Sequence, residues 1–215
     1  MTHHAVLLDF DGTASLTDVG GQLLDHFASN ASWQVIDNDY VSGRVGSRAA
    51  YRLAEPLLRH EPEEWTAFAL ERARLDPGLG DLLTLCATRG WLLEVLSDGL
   101  DFYIHAVLHR AGLSLPVRAN RVSADTTGRL RILTPHMNPL CGRCGTCKSA
   151  RVAALQQSGV KVIYIGDGFS DLCAAPRADQ VFAKGELARH CSKHRVEHSP
   201  FETLDQVTAA LLDQQ

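Results

Sequence analysis

Two aspartates near the amino terminus have the spacing of a catalytic pair. They lie in the segment DFDGT, where one residue separates Asp9 from Asp11. Because extended backbone sends residues i and i+2 to the same side, both carboxylates can face one substrate. One can then attack while the other moves protons, a combination suited to the slow hydrolysis of a phosphate monoester.

Two further polar segments follow apolar runs. Ser97, Asp98 and Gly99 follow WLLEVL, and GDGFSD, which contains Asp167 and Asp171, follows VKVIYI. If the apolar runs are parallel neighbouring strands, their polar endings meet at one edge of a sheet. Carboxylates gathered there would repel one another unless a cation lay among them, and hard oxygen ligands favour Mg²⁺. The sequence therefore predicts a magnesium site.

A phosphate-binding site is predicted beside these carboxylates. Ser97 and the backbone N–H groups that follow it lie where a predicted strand turns into a helix, which suits phosphate oxygens. Lys148, at the start of another predicted helix, offers a matching positive charge. The expected substrate is a small phosphorylated metabolite.

Alternating strands and helices must position these residues. Apolar runs at 6–8, 92–96 and 160–165 predict buried strands, and helical patterns lie between them, one of them at 148–157. This alternation predicts an α/β fold with a Rossmann-like parallel sheet that helices cover on both faces.

One stretch interrupts the alternation. The segments VGGQLLDHFA, SRAAYRLAEPLL and PEEWTAFALERARL have helical periodicity, and no strand signal lies among them. We therefore predict that residues 17–76 form a helical cap domain inserted into a core made of 1–16 and 77–215.

Composition limits the classes of partner. The chain of 215 residues carries a formal net charge of −4 with scattered basic residues, which argues against nucleic acid as a partner. It has neither a signal-peptide core nor an apolar run of about 18 residues, so no membrane association is expected. We predict a cytoplasmic protein, and the sequence leaves its oligomeric state open.

The ordered motifs DFDGT, SDG, a lysine and GDGFSD resemble those of the haloacid dehalogenase superfamily over almost the whole chain. The resemblance implies that Asp9 forms an aspartyl-phosphate and that Asp11 protonates the leaving group and then activates water. It also implies that Asp9, the Asp11 carbonyl and Asp167 hold Mg²⁺. An aspartate two residues after the nucleophile, here Asp11, resembles the pattern of the phosphatase branch of this superfamily. The resemblance therefore implies a phosphoric monoester hydrolase.

The same resemblance assigns the other motif positions. It implies phosphate binding by the SDG segment, Ser97, Asp98 and Gly99, and by Lys148, and it implies that Asp171 supports the metal site. The helical insertion resembles the C1 cap of the phosphoserine phosphatase-like group. Several sequence segments, among them GDGFSDLCAAPRADQVFAK, resemble the methionine-salvage branch of that group.

Specificity residues are expected on the cap. By spacing from the nucleophile, the resemblance implies Asp18 as an acidic specificity residue, and an arginine on a cap helix is either Arg52 or Arg48. Asp18 can equally be the N-cap of the first cap helix. The resemblance to the methionine-salvage branch implies a phosphorylated metabolite of that pathway as the substrate, and phosphoserine and phosphorylated amino alcohols are the alternatives.

The cysteine-rich run CGRCGTC has several interpretations. Cys141, Cys144 and Cys147 are spaced as ligands of a structural Zn²⁺, with His136 as the nearest fourth ligand. An iron-sulfur site, reduced thiols and a strained disulfide remain alternatives. A rival hypothesis of another class is a catalytically silent regulator that uses this loop as a metal or redox surface, although the intact Asp9 and Asp11 argue against it.

Overall fold

A computed structural model describes residues 3–59, 62–127 and 129–213, and this part of the chain divides into two compact units. The first unit comprises the described residues of Met1–Thr17, Arg74–Leu96 and Lys148–Gln215. The second comprises those of Asp18–Ala73 and Ser97–Cys147. The predicted boundaries between core and cap stay a prediction.

The first unit is built on a parallel sheet. Its strands are β1 (His4–Leu8), β2 (Leu92–Leu100, whose last residues belong to the second unit), β5 (Lys161–Gly166), β6 (Gln180–Ala183) and β7 (Ser199–Pro200). They lie in the order β2-β1-β5-β6-β7. Its helices are α5 (Leu79–Thr88), α7 (Lys148–Gln157), α8 (Gly185–His194) and α9 (Leu204–Leu212), with short 3-10 helices at Phe169–Asp171 and Ala175–Arg177.

Apolar side chains on both faces explain why these strands are central. In β1, Ala5, Val6, Leu7 and Leu8 are all fully buried, as expected for a parallel strand that helices cover on both faces. α7 packs against β5 and α8 packs against β6. The unit therefore holds the polar segments that follow β1 and β5 on a rigid base.

The second unit is mainly helical. It contains α1 (Val19–Phe27), α2 (Ser32–Val41), α3 (Ser47–Ala54), α4 (Pro62–Arg72) and α6 (Asp101–Arg110), a 3-10 helix at Glu55–Leu57, and the antiparallel pair β3 (Val117–Ala124) and β4 (Leu130–Leu133). α3 packs against α2, and α6 packs against α4 and β3. Trp65, which is 1% exposed, packs near Phe27 and Phe102 in the interior of this unit.

The structure confirms the predicted α/β fold with a parallel sheet, and the predicted helix at 148–157 has the bounds of α7. Two elements differ from the prediction. β2 continues beyond Leu96 to Leu100, so the SDG segment lies within the strand and α6 begins only at Asp101. The helix α2 was not predicted, because Trp33 is its only buried side chain and its apolar periodicity is correspondingly weak.

Within the described ranges, none of the helices has the length and apolar character needed to cross a membrane.

Asp179 ties two elements of the first unit together, and its removal should change acid stability. Its Oδ2 accepts hydrogen bonds from the Val162 N–H at 2.8 Å and from the Gln156 amide at 3.0 Å. Burial raises the pKa of this carboxyl, but the hydrogen bonds outweigh burial and hold its pKa below the usual value. We expect Asp179→Ala to lower the free energy of unfolding by about 1–2 kcal/mol at pH 7.

The pH dependence of this loss has a definite sign. Because the folded-state pKa is lowered, the stabilisation is present above the pKa of the unfolded chain and disappears as the pH falls through the folded-state pKa. Urea unfolding should therefore show the difference between wild type and Asp179→Ala shrinking in strong acid. Asp213→Ala, at an exposed aspartate, is the control. A difference that stayed constant with pH would contradict this role of the carboxylate.

Candidate active site

Three carboxylates lie together at the carboxyl ends of β1 and β5. In this parallel pair Leu8 is opposite Ile165, and the Asp9 N–H donates to the Ile165 carbonyl at 2.9 Å. Asp9 follows β1, whereas Asp167 and Asp171 follow β5, so the register brings them together. One oxygen from each carboxylate lies within 4.8 Å of the others, an arrangement that could hold a metal ion.

The ammonium group of Lys148 is buried between two of these carboxylates. Its Nζ lies 2.5 Å from Asp9 Oδ1 and 2.6 Å from Asp171 Oδ1, and the side chain is 1% exposed. Burial lowers the pKa of Lys148, but the negative charges of Asp171 and Asp9 outweigh it and raise the pKa well above the usual value. Lys148 therefore stays protonated and fixes the position of Asp9.

Asp171 is saturated with hydrogen-bond donors. Its Oδ1 accepts from Lys148 and from the Tyr164 hydroxyl at 2.6 Å, and its Oδ2 accepts from the backbone N–H groups of Asp167 and Gly168, each at 3.0 Å. These four donors, with the Ser170 hydroxyl at 3.5 Å from Oδ1 as a fifth, occupy the lone pairs that a metal would otherwise use. The carboxylate of Asp171 therefore shapes the loop that carries Asp167.

The DFDGT turn is fitted to Asp167. The Thr13 hydroxyl donates to Asp167 Oδ1 at 2.7 Å. Gly12 has a φ of +80°, and a Cβ at this position would lie 2.3 Å from Asp167 Oδ2, so no larger residue fits without displacing the carboxylate. Burial raises the pKa of Asp167, and the Thr13 hydrogen bond opposes this effect.

The charge balance of this group favours a cation. Burial raises the pKa of Asp9 well above the usual value, the charge of Asp171 raises it further, and Lys148 opposes both. Three buried or half-buried carboxylates thus face Lys148, with the charge of Lys184 acting on Asp167 as well, and the oxygens of Asp9 and Asp167 fit Mg²⁺. Asp11 is half-buried and forms a backbone bridge with Ser15. Its side chain is not part of the three-carboxylate group, and the resemblance assigned the metal to its main-chain carbonyl.

The predicted phosphate-binding segment lies in the second unit. Ser97 Oγ accepts a hydrogen bond from the Gly99 N–H at 2.9 Å. The carboxylate of Asp98 accepts from the Thr146 N–H at 2.8 Å and from the Asn120 amide at 3.1 Å. An ionised carboxylate accepts hydrogen bonds and repels an anion, so only the main-chain N–H of Asp98 suits a phosphate oxygen.

The cap candidates differ in their surroundings. Asp18 Oδ1 accepts from the Gly21 N–H at 2.8 Å, so Asp18 is the N-cap of α1. Arg48 and Arg52 lie four residues apart on α3, where Arg48 is half-buried and Arg52 is exposed. The Arg48 N–H donates to the Arg143 carbonyl at 3.3 Å, which joins α3 to the cysteine-rich loop.

The structure does not support the zinc prediction. Among the described residues, the carboxylates of Asp9, Asp167 and Asp171 form a group of possible metal ligands, whereas Cys141, Cys144, Cys147 and His136 do not. The His136 ring lies 3.5 Å from an Arg118 guanidinium nitrogen, and its carbonyl accepts from the Cys147 N–H. A cationic guanidinium beside this ring disfavours a second cation, so the spacing of the cysteines was misleading.

Three contacting residues were missed from sequence: Thr13 and Tyr164 in the first unit and Asn120 in the second. Thr13 belongs to DFDGT, and its hydroxyl, a possible donor to a nearby carboxylate, is the available signal. Tyr164 is a polar-tipped aromatic inside the apolar run VKVIYI. A buried phenol hydroxyl needs a hydrogen-bond partner, so a tyrosine inside an apolar strand indicates a polar group nearby. Nothing in the sequence around Asn120 indicates that it contacts Asp98.

Comparison with known proteins identifies the family. The family described as haloacid dehalogenase-like hydrolase matches residues 6–176, which include all three carboxylates and Lys148. The chain belongs to the haloacid dehalogenase-like hydrolases. The family predicted from the ordered motifs is thereby confirmed.

Curated relatives of this hydrolase extend over nearly its whole length. A protein of Exiguobacterium sibiricum is 30% identical over 206 residues, which are 92% of this chain and 91% of the relative. A protein of Geobacillus kaustophilus is 30% identical over 216 residues, which are 98% and 97% of the two chains. Both are named 2-hydroxy-3-keto-5-methylthiopentenyl-1-phosphate phosphatase.

Solved structures show the same fold as this hydrolase. A phospho-aspartyl intermediate analogue of phosphoserine phosphatase has a TM-score of 0.72 and 16% sequence identity, and the match covers 98% of this chain and 99% of that one. At this identity the likeness concerns the fold alone.

Proposed function

We propose that this protein is a magnesium-dependent phosphatase that hydrolyses 2-hydroxy-3-keto-5-methylthiopentenyl-1-phosphate through an aspartyl-phosphate on Asp9. The observation that carries the proposal is the buried Lys148 ammonium shared by Asp9 and Asp171, with Asp167 beside them. Two near-full-length relatives named for this substrate support the choice of ester.

The broader assignment does not depend on the substrate. The predicted enzyme class, a phosphoric monoester hydrolase, is confirmed by membership of the haloacid dehalogenase-like family and by relatives at 30% identity that are named phosphatases.

The chemistry divides into two half-reactions. In the first, an Asp9 oxygen forms a bond to phosphorus while the bond from phosphorus to the ester oxygen breaks, and Asp11 gives its proton to the departing alcohol. In the second, Asp11 takes a proton from water, the water oxygen attacks phosphorus, and Asp9 leaves as a carboxylate. Inorganic phosphate is released, and Asp11 is again protonated.

Fixed positions make Asp9 an effective nucleophile. Lys148 holds Asp9 Oδ1, so Oδ2 is the oxygen proposed to attack. The buried setting removes the water that would otherwise solvate the carboxylate, and pre-fixed geometry lowers the entropic part of the barrier. We assign the Ser97 hydroxyl and the main-chain N–H of Asp98 to the phosphate oxygens, whereas the Gly99 N–H donates to Ser97 Oγ and supports the segment.

Asp9, Asp167 and the Asp11 carbonyl are the groups proposed to hold Mg²⁺. When bound, the ion supplies positive charge that stabilises the phosphate oxygens in the transition state. Asp171 keeps its donors and supports the loop of Asp167.

Metal removal and a substrate panel test this proposal. We expect chelator-treated protein to lose hydrolysis of p-nitrophenyl phosphate and to recover it with added Mg²⁺. Among natural esters, kcat/KM for 2-hydroxy-3-keto-5-methylthiopentenyl-1-phosphate should exceed that for phosphoserine by at least about tenfold, because pocket contacts worth about 1.4 kcal/mol suffice for this discrimination.

Other outcomes point to the rival functions. Preference for phosphoserine or a phosphorylated amino alcohol would overturn the substrate assignment and leave the chemistry intact. In the structure, the carboxylate of Asp18 caps α1 and so has a role other than amine recognition. Absence of activity towards every ester with Mg²⁺ present would instead favour a silent regulator.

A further inference from the structure

The backbone carbonyl of Asp98 is held by two side chains from different elements. The Tyr51 hydroxyl, from α3, donates to this carbonyl at 2.7 Å, and the Asn120 amide, from β3, donates to it at the same distance. Asn120 is fully buried and also reaches the Asp98 carboxylate. A carbonyl that accepts two hydrogen bonds at this distance has a closely defined orientation.

Orientation of this carbonyl determines the orientation of the next N–H group. The peptide unit is planar, so the Asp98 carbonyl and the Gly99 N–H point in opposite directions within one plane. The Gly99 N–H donates to Ser97 Oγ at 2.9 Å. By orienting this one peptide plane, Tyr51 and Asn120 therefore also orient the Gly99 N–H group that binds the Ser97 hydroxyl.

This hydrogen bond determines what Ser97 can offer to a ligand. Once its oxygen accepts from Gly99, its own O–H hydrogen is available for donation, because a hydroxyl carries one donor and two acceptor sites. Phosphate oxygens accept hydrogen bonds and do not donate when ionised. The network thus prepares Ser97 as a donor to an anion.

The cysteine-rich loop secures the same segment from another side. Gly145 and Thr146 donate their backbone N–H groups to Ser47 Oγ on α3 and to the Asp98 carboxylate, at 3.0 Å and 2.8 Å. A Cβ at Gly145 would lie 2.5 Å from Asn120 Oδ1, so this close approach requires glycine. The loop, α3 and β3 form one connected set of contacts around Asp98.

We propose that Tyr51 and Asn120 are positioning residues that orient the Ser97 hydroxyl for phosphate binding. The inference rests on the proposed function, in which Ser97 binds the substrate phosphate. It assigns a role in the reaction to a tyrosine of the helical second unit that lies 47 positions before Asp98.

Loss of the Tyr51 hydroxyl should weaken phosphate binding. Tyr51→Phe keeps the ring and removes one hydrogen bond to Asp98. By calorimetry with inorganic phosphate and Mg²⁺, we expect dissociation constants to rise about threefold to tenfold, as for loss of one neutral hydrogen bond. KM for p-nitrophenyl phosphate should rise by a similar factor with a smaller change in kcat. Tyr40→Phe, which removes the same group from α2, should leave both values unchanged.

A double-mutant cycle separates positioning from a general loss of stability. In a Ser97→Ala background, Tyr51→Phe should have little further effect on phosphate binding, because the hydroxyl that it orients is gone. Equal effects with and without Ser97 would overturn the inference, as would phosphate binding by Tyr51→Phe at the wild-type affinity. Wild-type protein that binds no phosphate at all would overturn the proposed function as well.

Discussion

Asp9→Asn is expected to abolish phosphatase activity while leaving the fold intact. The amide is nearly the same size as the carboxylate but cannot form the acyl-phosphate bond at a useful rate. Loss of a nucleophile typically lowers kcat on the order of 10⁴-fold or more. Hydrolysis of p-nitrophenyl phosphate with saturating Mg²⁺ measures the loss directly.

The folded state of this variant should tolerate the change. Burial and the charge of Asp171 already disfavour a charged Asp9, which is why its pKa is raised. Asparagine removes that repulsion and can still accept a hydrogen bond from Lys148 through its side-chain oxygen. Circular dichroism should therefore match wild type. Asp213→Asn, at an exposed position, is the matched control for activity. Retention of more than a small fraction of wild-type kcat by Asp9→Asn would exclude Asp9 as the nucleophile.

Lys148→Met is expected to destabilise the protein strongly in the absence of metal. The ammonium lies between Asp9 and Asp171, both buried, and its removal leaves these carboxylates without their shared cation. Removal of one partner of a buried ion pair lowers the free energy of unfolding by about 3–5 kcal/mol. Urea unfolding of chelator-treated protein measures the change in free energy, and activity should fall along with it.

Magnesium should partly rescue this variant, because a cation bound by Asp9 and Asp167 offsets some of the uncompensated charge. Lys161→Met removes a lysine from the exposed start of β5 and should change stability by no more than about 0.5 kcal/mol. If metal-free Lys148→Met were as stable as Lys161→Met, the carboxylates would have to take up protons at little cost. The electrostatic account of the site would then be wrong.

Sequence alone was sufficient where the decisive residues lie next to strand ends. Asp9 and Asp167 come directly after the strands β1 and β5, which apolar runs predict, Asp171 lies four residues beyond Asp167, and the order of the motifs matches one family. The start of α7 at Lys148 was likewise predictable, because its helical pattern begins there. Less of the second unit could be predicted, since α2 buries a single large side chain and leaves a weak periodic signal.

The amino-acid sequence by itself therefore determined the order of the motifs and the family, and the catalytic roles of the two carboxylates of DFDGT stay a prediction. Only the tertiary structure decided how the donors are shared among the acidic groups. Lys148 pairs with Asp9 across 139 positions, Asp171 accepts from Lys148, Tyr164 and its own loop, and Asp167 accepts from the Thr13 hydroxyl. It also decided that the cysteine-rich loop contacts α3 and Asp98 through its backbone. Hydrogen bonds of this kind depend on distances between strands and loops that are remote in sequence, and local spacing carries no information about them.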